Sequence, residues 1–219
     1  MQEFVEVTGM VLYAAPVNEY DRRIMILTKE RGKITAFAKG ARRPNSRFLA
    51  ATNPFSFGTF RLFEGKTAYN LMEGHISNYF EQMREDYEAA FYGMYFLDVA
   101  DFYTRENNDE TEMLKLLYQS LRALMVPSIS NELVQYIFEM KSIVVNGEFP
   151  GVPSHMTLLA DTRYTIEFVV TAPFEKLYTF TVSKEVLKEL SDCADYYREH
   201  FLAGNLKSLE ILKNCRLKM

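Results

Sequence analysis

The chain has 219 residues, of which 48% are hydrophobic and 14% aromatic, and this composition excludes a disordered protein because it supplies ample core. The formal net charge of −4 argues weakly against a nucleic-acid partner, but only if the charges are spread evenly. The length suits one large domain or two small ones, and we expect two.

The amino-terminal stretch carries acids where a secretion signal carries Lys or Arg, and no apolar run approaches the length of a bilayer-spanning helix. We therefore expect a cytoplasmic protein without a membrane partner. The two cysteines, Cys193 and Cys215, are too few and too far apart for a zinc module. We assign neither of them a function and expect no metal site and no cofactor.

Residues 1–79 predict β structure, because apolar and β-branched side chains alternate with a period of two. Gly32 is well placed for the positive φ of a tight hairpin, and residues 41–47 (ARRPNSR) predict a loop. Five short strands in so few residues favour a closed barrel, because closure removes exposed edges. The five runs are, in chain order, Phe4–Leu12, Arg23–Thr28, Ile34–Ala38, Phe55–Phe63 and Ala68–Tyr79.

Residues 80–219 predict a mainly α-helical domain, since apolar residues recur there at steps of three and four. One helix is expected over Asn131–Val145, another to start at Ser183, and the last over Leu206–Leu217. Between them, the turn-rich region of about residues 147–182 predicts a small β insertion, with strands at Tyr164–Val170 and Leu177–Val182. The fold class is therefore α+β, a β domain at 1–79 followed by a helical domain.

The charges are not spread evenly along the chain. Residues 22–47 contain nine basic side chains and one acidic side chain, a local net charge of +8, whereas residues 76–219 contain 14 basic and 22 acidic side chains, a net charge of −8. Such an asymmetry indicates a surface that binds a polyanion on the amino-terminal domain.

The amino-terminal segment resembles the bacterial recombination mediator RecO. The match covers nearly the whole chain but is sharp only over residues 9–55. Its most specific part is the AKGARRP sequence that follows the Gly32-Lys33-Ile34 segment. The matching residues are Gly9, Val11-Leu12, Tyr20-Asp21-Arg22, Thr28, Gly32-Lys33-Ile34, residues 38–47 (AKGARRPNSR) and Pro54-Phe55.

The resemblance implies an OB-type barrel of five strands followed by a helical domain. Family members bind single- and double-stranded DNA, anneal complementary strands, and act with RecR, and often RecF, to load RecA onto strands coated by single-stranded-DNA-binding protein. Many relatives also hold a zinc ion in two CxxC pairs of the helical domain. The matching region around Gly147 to Phe174 contains no cysteine here, so no metal is carried over.

The basic run supplies the candidate DNA contacts, because Lys and Arg that neutralise phosphates release counterions without reading sequence. Strand alternation places Lys33, Thr35, Phe37 and Lys39 on one face. Two roles remain open for Phe37 and likewise for Phe48: barrel core, or a surface on which a base stacks. The candidate DNA-binding residues are Arg22, Arg23, Lys33, Lys39, Arg42, Arg43, Arg47, Phe37 and Phe48.

Enzyme signatures do not fit. Residues 58–67 (GTFRLFEGKT) mimic a phosphate-binding loop but have six residues between the glycines instead of four. The three histidines are scattered without metal-ligand spacing. From these residues we expect no enzyme, and the resemblance implies a nucleoid-associated recombination mediator of the RecF pathway. The alternative is a protein- or RNA-binding OB-fold adaptor without annealing activity.

Overall fold

The computed structural model describes residues 4–66, 68–202 and 206–216. The chain forms two compact units. The first comprises the described residues up to Glu85 together with Thr104–Leu114, and the second comprises Asp86–Tyr103 and the described residues from Lys115 onward. The division between residues 79 and 80 stays a prediction, and Thr104–Leu114 belongs to the first unit although both of its neighbours in sequence belong to the second.

Five strands of the first unit close into a barrel in the order β1-β2-β3-β5-β4, as the α+β prediction with an OB-type barrel required. The long β1 pairs with β4 through its first half and with β2 through its second half, and β3 closes the barrel by a short parallel pairing with β5. The strands are β1 (Phe4–Val17), β2 (Asp21–Thr28), β3 (Gly32–Ala38), β4 (Phe57–Glu64) and β5 (Tyr69–Asn78).

Alternate side chains of all five strands fill the barrel. On β3, for example, Ile34, Ala36 and Ala38 point inward and are at most 1% exposed, because successive side chains of a strand face opposite sides. The core residues are Val7, Val11, Ile24, Ile26, Ile34, Ala36, Ala38, Ala41, Phe60, Leu62, Tyr69 and Leu71. The outward-facing residues of β1–β3 are thereby left on the surface, where the site is built.

The tip of the β2–β3 hairpin is paired with the segment Thr104–Leu114. The Lys33 backbone N–H donates to Arg105 O at 3.0 Å, and the Asn107 N–H donates to Arg31 O at 3.0 Å. Gly32 permits this approach, because a Cβ there would lie 2.3 Å from Arg105 O and its φ of +65° disfavours other residues. The hairpin tip is therefore covered by backbone.

The described part of the second unit is helical, and two predicted boundaries are confirmed. One helix covers Asn131–Val145 and begins after Ser130, whose side chain accepts the Leu133 N–H, and another begins after Ser183, which accepts the Val186 N–H. Leu217, in the last predicted helix, lies outside the described residues. The helices are α1 (Tyr87–Tyr103), α2 (Thr111–Ala123), α3 (Asn131–Val145), α4 (Ala160–Thr171), α5 (Lys184–Phe201) and α6 (Lys207–Arg216).

The predicted β insertion is wrong. Tyr164–Val170 lies within α4, and Leu177–Val182 forms no strand. The Thr and Val content of the segment suggested a strand, but Thr162, Ile166 and Val169 are buried at a helical spacing, and this packing outweighs the local preference. The helix ends before Pro173, which disfavours helical backbone in the residue that precedes it.

A buried ion pair joins α3 to α5 inside the second unit. Arg198 donates two hydrogen bonds to the fully buried Glu139 carboxylate at 2.9 and 2.8 Å. Tyr95 and Gln135 donate to the same carboxylate at 2.7 and 2.6 Å. Burial would lower the pKa of Arg198, but the nearby Glu139, Tyr95 and Asp195 together raise it, so Arg198 stays charged and its hydrogen bonds to Glu139 hold the two helices together. Among the described helices, none is long and apolar enough to cross a bilayer.

Candidate nucleic-acid interface

The β3 strand presents the predicted face to the outside. Lys33, Thr35 and Phe37 are partly exposed and Lys39, just after the strand, is exposed, whereas the residues between them are buried. Phe37 therefore lies on the outer surface of the barrel, and the core alternative for this residue is wrong. A half-exposed aromatic ring beside cations is a surface on which a base can stack.

The neighbouring strand places a cation opposite that ring. Arg23 of β2 is paired with Phe37 of β3 on one side and with Ala15 of β1 on the other, and its side chain is exposed. Directly paired residues have their Cβ atoms about 5 Å apart. Arg23 and Phe37 therefore form one continuous patch of outer surface.

A β-bulge adds a second aromatic ring that the sequence pattern did not reveal. The register between β1 and β2 shifts between Val11, opposite Ile26, and Tyr13, opposite Met25. Without the bulge, Tyr13 would share the inward face of Val11, but the extra residue, Leu12, turns it outward, where it is 45% exposed. We define the outer face as Tyr13, Ala15, Arg23, Met25, Thr35 and Phe37.

Residues 39–56, which we call the basic loop, run from β3 to β4 and carry the three arginines of the AKGARRPNSR sequence. All three arginines are exposed. Arg42 donates through Nη1 to Glu19 O at 3.1 Å, and Arg43 lies 5.1 Å from the centre of the Tyr20 ring. Successive turns, among them Arg43 N–H to Gly40 O at 3.1 Å, make the loop compact. The arginines are thus presented from a defined backbone.

Phe48 does not present an open ring for a base to stack on, because Arg47 lies over the ring. Phe48 is half-buried and packs against the barrel core, and the Arg47 guanidinium lies 4.8 Å from the centre of its ring. Arg47 also donates through Nη2 to Met72 O at 2.8 Å. Phe48 is therefore placed to support Arg47, with one side on the core and a guanidinium over the ring.

Arg22 points into the base of the basic loop. Its Nη1 donates to Leu49 O at 3.2 Å, Thr52 Oγ1 at 2.9 Å and Asn53 Oδ1 at 2.8 Å. Burial, together with the nearby positive charge of Arg42, lowers the pKa of Arg22 from its usual value, although an arginine remains charged. The Arg22 guanidinium is thus engaged by three acceptors within the protein, whereas Arg42 and Arg47 each donate to a backbone oxygen but remain exposed.

The two ends of β3 differ in their electrostatic surroundings. The hairpin tip, with Lys33, is paired with the segment Thr104–Leu114, which contains one basic residue and four acidic residues, Glu106, Asp109, Glu110 and Glu112. Lys39, at the other end, opens the basic loop. Positive potential is therefore concentrated at the Lys39 end.

In the described part of the second unit, the side chains do not fit the zinc ion that the resemblance implies for many family members. Cys193 is fully buried, its Sγ lies 3.8 Å from Met156 Sδ, and burial raises its pKa to about 11, so the free thiol stays protonated at neutral pH. Among the described residues, no group of three or more His, Cys, Asp or Glu side chains is arranged to hold a metal ion.

A cavity of about 410 Å³ lies between α4 and the chain that leads into α5. Its lining is aromatic and hydroxylic, with Tyr164, Phe168 and Phe180 beside Thr165 and the single carboxylate of Asp161. These residues do not form a nucleophile with an adjacent base. The cavity therefore adds no catalytic arrangement to the described part of the second unit.

Comparison with known proteins gives consistent results for both halves of the chain. Residues 1–80 match the family model described as Recombination protein O N terminal, and residues 84–155 match Recombination protein O C terminal. The DNA repair protein RecO of Acetivibrio thermocellus is 26% identical over 96% of this chain and 96% of its own length.

Two further relatives carry the same name. The DNA repair protein RecO of Clostridium perfringens strain 13 is 27% identical over 95% of this chain and 97% of its own length. That of Alkaliphilus metalliredigens is 33% identical over 70% of this chain and 61% of its own length. The similarity therefore extends over both units.

Proposed function

The chain belongs to the RecO family of DNA repair proteins, and from this premise we propose that it is a non-enzymatic recombination mediator that binds single- and double-stranded DNA. Family membership gives it a role in DNA repair and recombination. Within that role, we propose that it anneals complementary strands and helps to load RecA, acting with RecR, RecF and single-stranded-DNA-binding protein.

The observation that carries the proposal is the basic loop beside the outer face. Arg42, Arg43 and Arg47 are exposed on a compact backbone, and Phe37 and Tyr13 lie on the adjoining strands. Guanidinium groups bind phosphates of any sequence, and aromatic rings stack on any base. The surface is therefore suited to nucleic acid without sequence preference, and to the same phosphates in a duplex.

Annealing follows from this mode of binding. A surface that contacts phosphates and one face of the bases leaves the Watson–Crick edges free to pair with a second strand. The cations also reduce the repulsion between two phosphate backbones, which opposes their encounter. No covalent step is needed, so the site requires no catalytic group.

Fluorescence anisotropy of a labelled oligothymidylate at several salt concentrations tests the DNA site. The triple variant Arg42→Glu, Arg43→Glu and Arg47→Glu is expected to lose at least about a hundredfold in affinity, because at least three phosphate contacts become repulsive. A matched control reverses three exposed cations of the second unit, Lys115, Arg122 and Lys188, and is expected to bind nearly as the wild type does. Binding that ignores salt, or that survives the triple reversal in the loop, contradicts the proposal.

A strand-annealing assay tests the activity itself. Two complementary oligonucleotides, one with a fluorophore and one with a quencher, are expected to pair faster with the protein than without it, and the triple variant is expected to lose this acceleration. Tight binding to an RNA strand or to another protein, without faster annealing of DNA, would instead support the adaptor alternative. Co-purification with RecR and single-stranded-DNA-binding protein tests the partners.

A further inference from the structure

We infer that Asp21 and Arg22, two adjacent residues at the start of β2, are positioning residues that hold the two ends of the basic loop. This inference rests on the proposed function, since it concerns how the loop presents its cations to DNA. Neither side chain has to touch DNA for this role. What each one does is fix a different part of residues 39–56.

Asp21 holds the beginning of the basic loop. Its Oδ1 accepts the Gly40 N–H at 2.8 Å. Gly40 has a φ of +67°, a conformation that favours glycine, and it sits in the turn closed by Ala41 N–H to Ala38 O. The next residue but one, Arg42, is fixed through its own N–H to Tyr20 O at 2.9 Å. The carboxylate therefore determines where the chain leaves β3.

Arg22 holds the far part of the basic loop. Its Nη1 lies within 3.2 Å of one backbone oxygen and two side-chain oxygens, those of Leu49, Thr52 and Asn53. Thr52 is fully buried, and its hydroxyl donates to Phe48 O at 2.7 Å while it accepts from Arg22. The guanidinium therefore ties the segment behind Arg47 and Phe48 to the barrel.

Both attachments bear on the same three exposed arginines. Arg42 and Arg43 follow the Asp21 attachment, and Arg47 precedes the Arg22 attachment. A loop held at both ends presents its charges together and loses less conformational entropy when DNA binds. The opposite charges of Asp21 and Arg22 are thus used for hydrogen bonds to the loop rather than for a contact with the ligand.

The Asp21 role is tested by a pair of variants with the same charge. Asp21→Asn keeps an oxygen acceptor for the Gly40 N–H, whereas Asp21→Ala removes it, and both remove one negative charge beside the loop. Anisotropy with labelled oligothymidylate should give D21A an affinity about fivefold below that of D21N, which is the loss expected for one hydrogen bond. Equal affinities of the two variants would overturn the role of Asp21.

The Arg22 role is tested by the salt dependence of binding. A cation that contacts one phosphate contributes about 0.7 to the slope of log affinity against log salt for a single strand. Arg23, exposed on the outer face, provides the control, and Arg23→Met should lower the slope by about this amount. Arg22→Met should lower it by roughly twice as much or more, because the loop cations lose their common placement.

An uncharged variant separates positioning from contact. Thr52→Val removes an acceptor of Arg22 but leaves every charge in place, so it should weaken DNA binding and lower the salt slope if Arg22 acts through the loop. A thermal unfolding curve close to that of the wild type ensures that the barrel is intact. If the wild type binds with a steep slope but T52V is unchanged and R22M behaves as R23M does, only the positioning role is overturned. A wild type without salt-dependent binding would overturn the proposed function as well.

Discussion

At the scale of single residues, cations that are similar in sequence have different surroundings. Arg22 and Arg23 are adjacent, yet one guanidinium donates into the basic loop and the other lies exposed opposite Phe37. The alternation of a strand explains this difference, because neighbouring side chains face opposite sides. Adjacent basic residues on a strand can therefore differ in role, because one side chain holds a loop while the next is exposed to a ligand.

The outer face makes a prediction about its two aromatic rings. Tyr13→Ala and Phe37→Ala should each weaken binding of single-stranded oligothymidylate by about 1–3 kcal/mol, the usual contribution of a base stacked on an aromatic side chain. Duplex DNA should be affected less, because its bases are already stacked on one another. Fluorescence anisotropy with both probes measures the difference. Thr35→Ala, on the same face without a ring, serves as the control, and an equal loss in all three variants would contradict stacking.

The two thiols make a prediction about pH. Burial raises the pKa of Cys193 to about 11, so its thiolate form is scarce at neutral pH, whereas Cys215 on α6 is partly exposed. Ellman's reagent should label Cys215 readily and Cys193 only slowly in the folded protein. Since the folded pKa lies above the unfolded one, the Cys193 contribution to stability falls as pH rises from the usual thiol range towards about 11. Rapid labelling of Cys193 in the Cys215→Ser variant at neutral pH would contradict its burial.

At the scale of elements, the β2–β3 hairpin has a covered end and an open end. The tip pairs with Thr104–Leu114 through backbone hydrogen bonds at Lys33 and Arg31, and the other end leads into the basic loop. The pairing adds backbone contacts to the barrel, and the paired segment contains four acidic residues. The two ends of the hairpin therefore differ in electrostatic surroundings, although basic residues occur at both ends in the sequence.

The difference between the two ends of β3 predicts that reversing a charge at one end weakens DNA binding more than reversing a charge at the other. Lys39→Glu should weaken DNA binding by about tenfold or more, because Lys39 adjoins the loop arginines, whereas Lys33→Glu should weaken it only about two- to threefold, because nearby acids already offset the field there. The two variants have the same net charge, so each is the control for the other. Equal losses in anisotropy measured at the same salt concentration would show that the Thr104–Leu114 segment does not shape the site.

At the scale of the whole molecule, the charge is divided between its parts. Residues 22–47 carry a net charge of +8 and residues 76–219 carry −8, and the described cations of the first group cluster on the barrel. The barrel is thus the half that we propose to bind DNA, and the helical unit is held together by internal contacts such as the Glu139–Arg198 pair. Among the described residues of this unit, no group of three or more His, Cys, Asp or Glu side chains is arranged to hold a metal ion.

The helical unit should therefore be insensitive to chelation. Its turn-rich region is held by aromatic contacts, such as Phe149 with Tyr197 at 5.4 Å between ring centres, and by the Tyr197 hydroxyl, which donates to Gly151 O at 2.9 Å. Elemental analysis should find no stoichiometric zinc, and EDTA should leave the thermal unfolding midpoint unchanged. One zinc equivalent per chain, or a midpoint lowered by EDTA, would contradict the prediction.

Tyr197→Phe, which removes the hydrogen bond to Gly151 O, should lower the free energy of unfolding by about 1 kcal/mol.

The sequence by itself determined the five-stranded barrel, the helices at Asn131–Val145 and after Ser183, and the location of the basic run. These features depend on local period, on capping residues and on composition, all of which are written in short stretches of chain. The same reasoning failed at Tyr164–Val170, where the β-branched composition predicted a strand. The segment is buried at a helical spacing, because packing outweighs local preference.

Only the tertiary structure decided the surroundings of the basic residues. The bulge at Leu12 that exposes Tyr13, the engagement of Arg22 with Thr52 and Asn53, and the pairing of the hairpin tip with Thr104–Leu114 each join residues far apart in sequence or depend on strand register. The two-residue alternation of apolar and polar side chains predicts which residues share a face of a strand, but it does not reveal where a β-bulge switches the following residues to the other face. The charge run predicts a polyanion site, and the fold shows which of its members are exposed and which, like Arg22, are hydrogen-bonded into the basic loop.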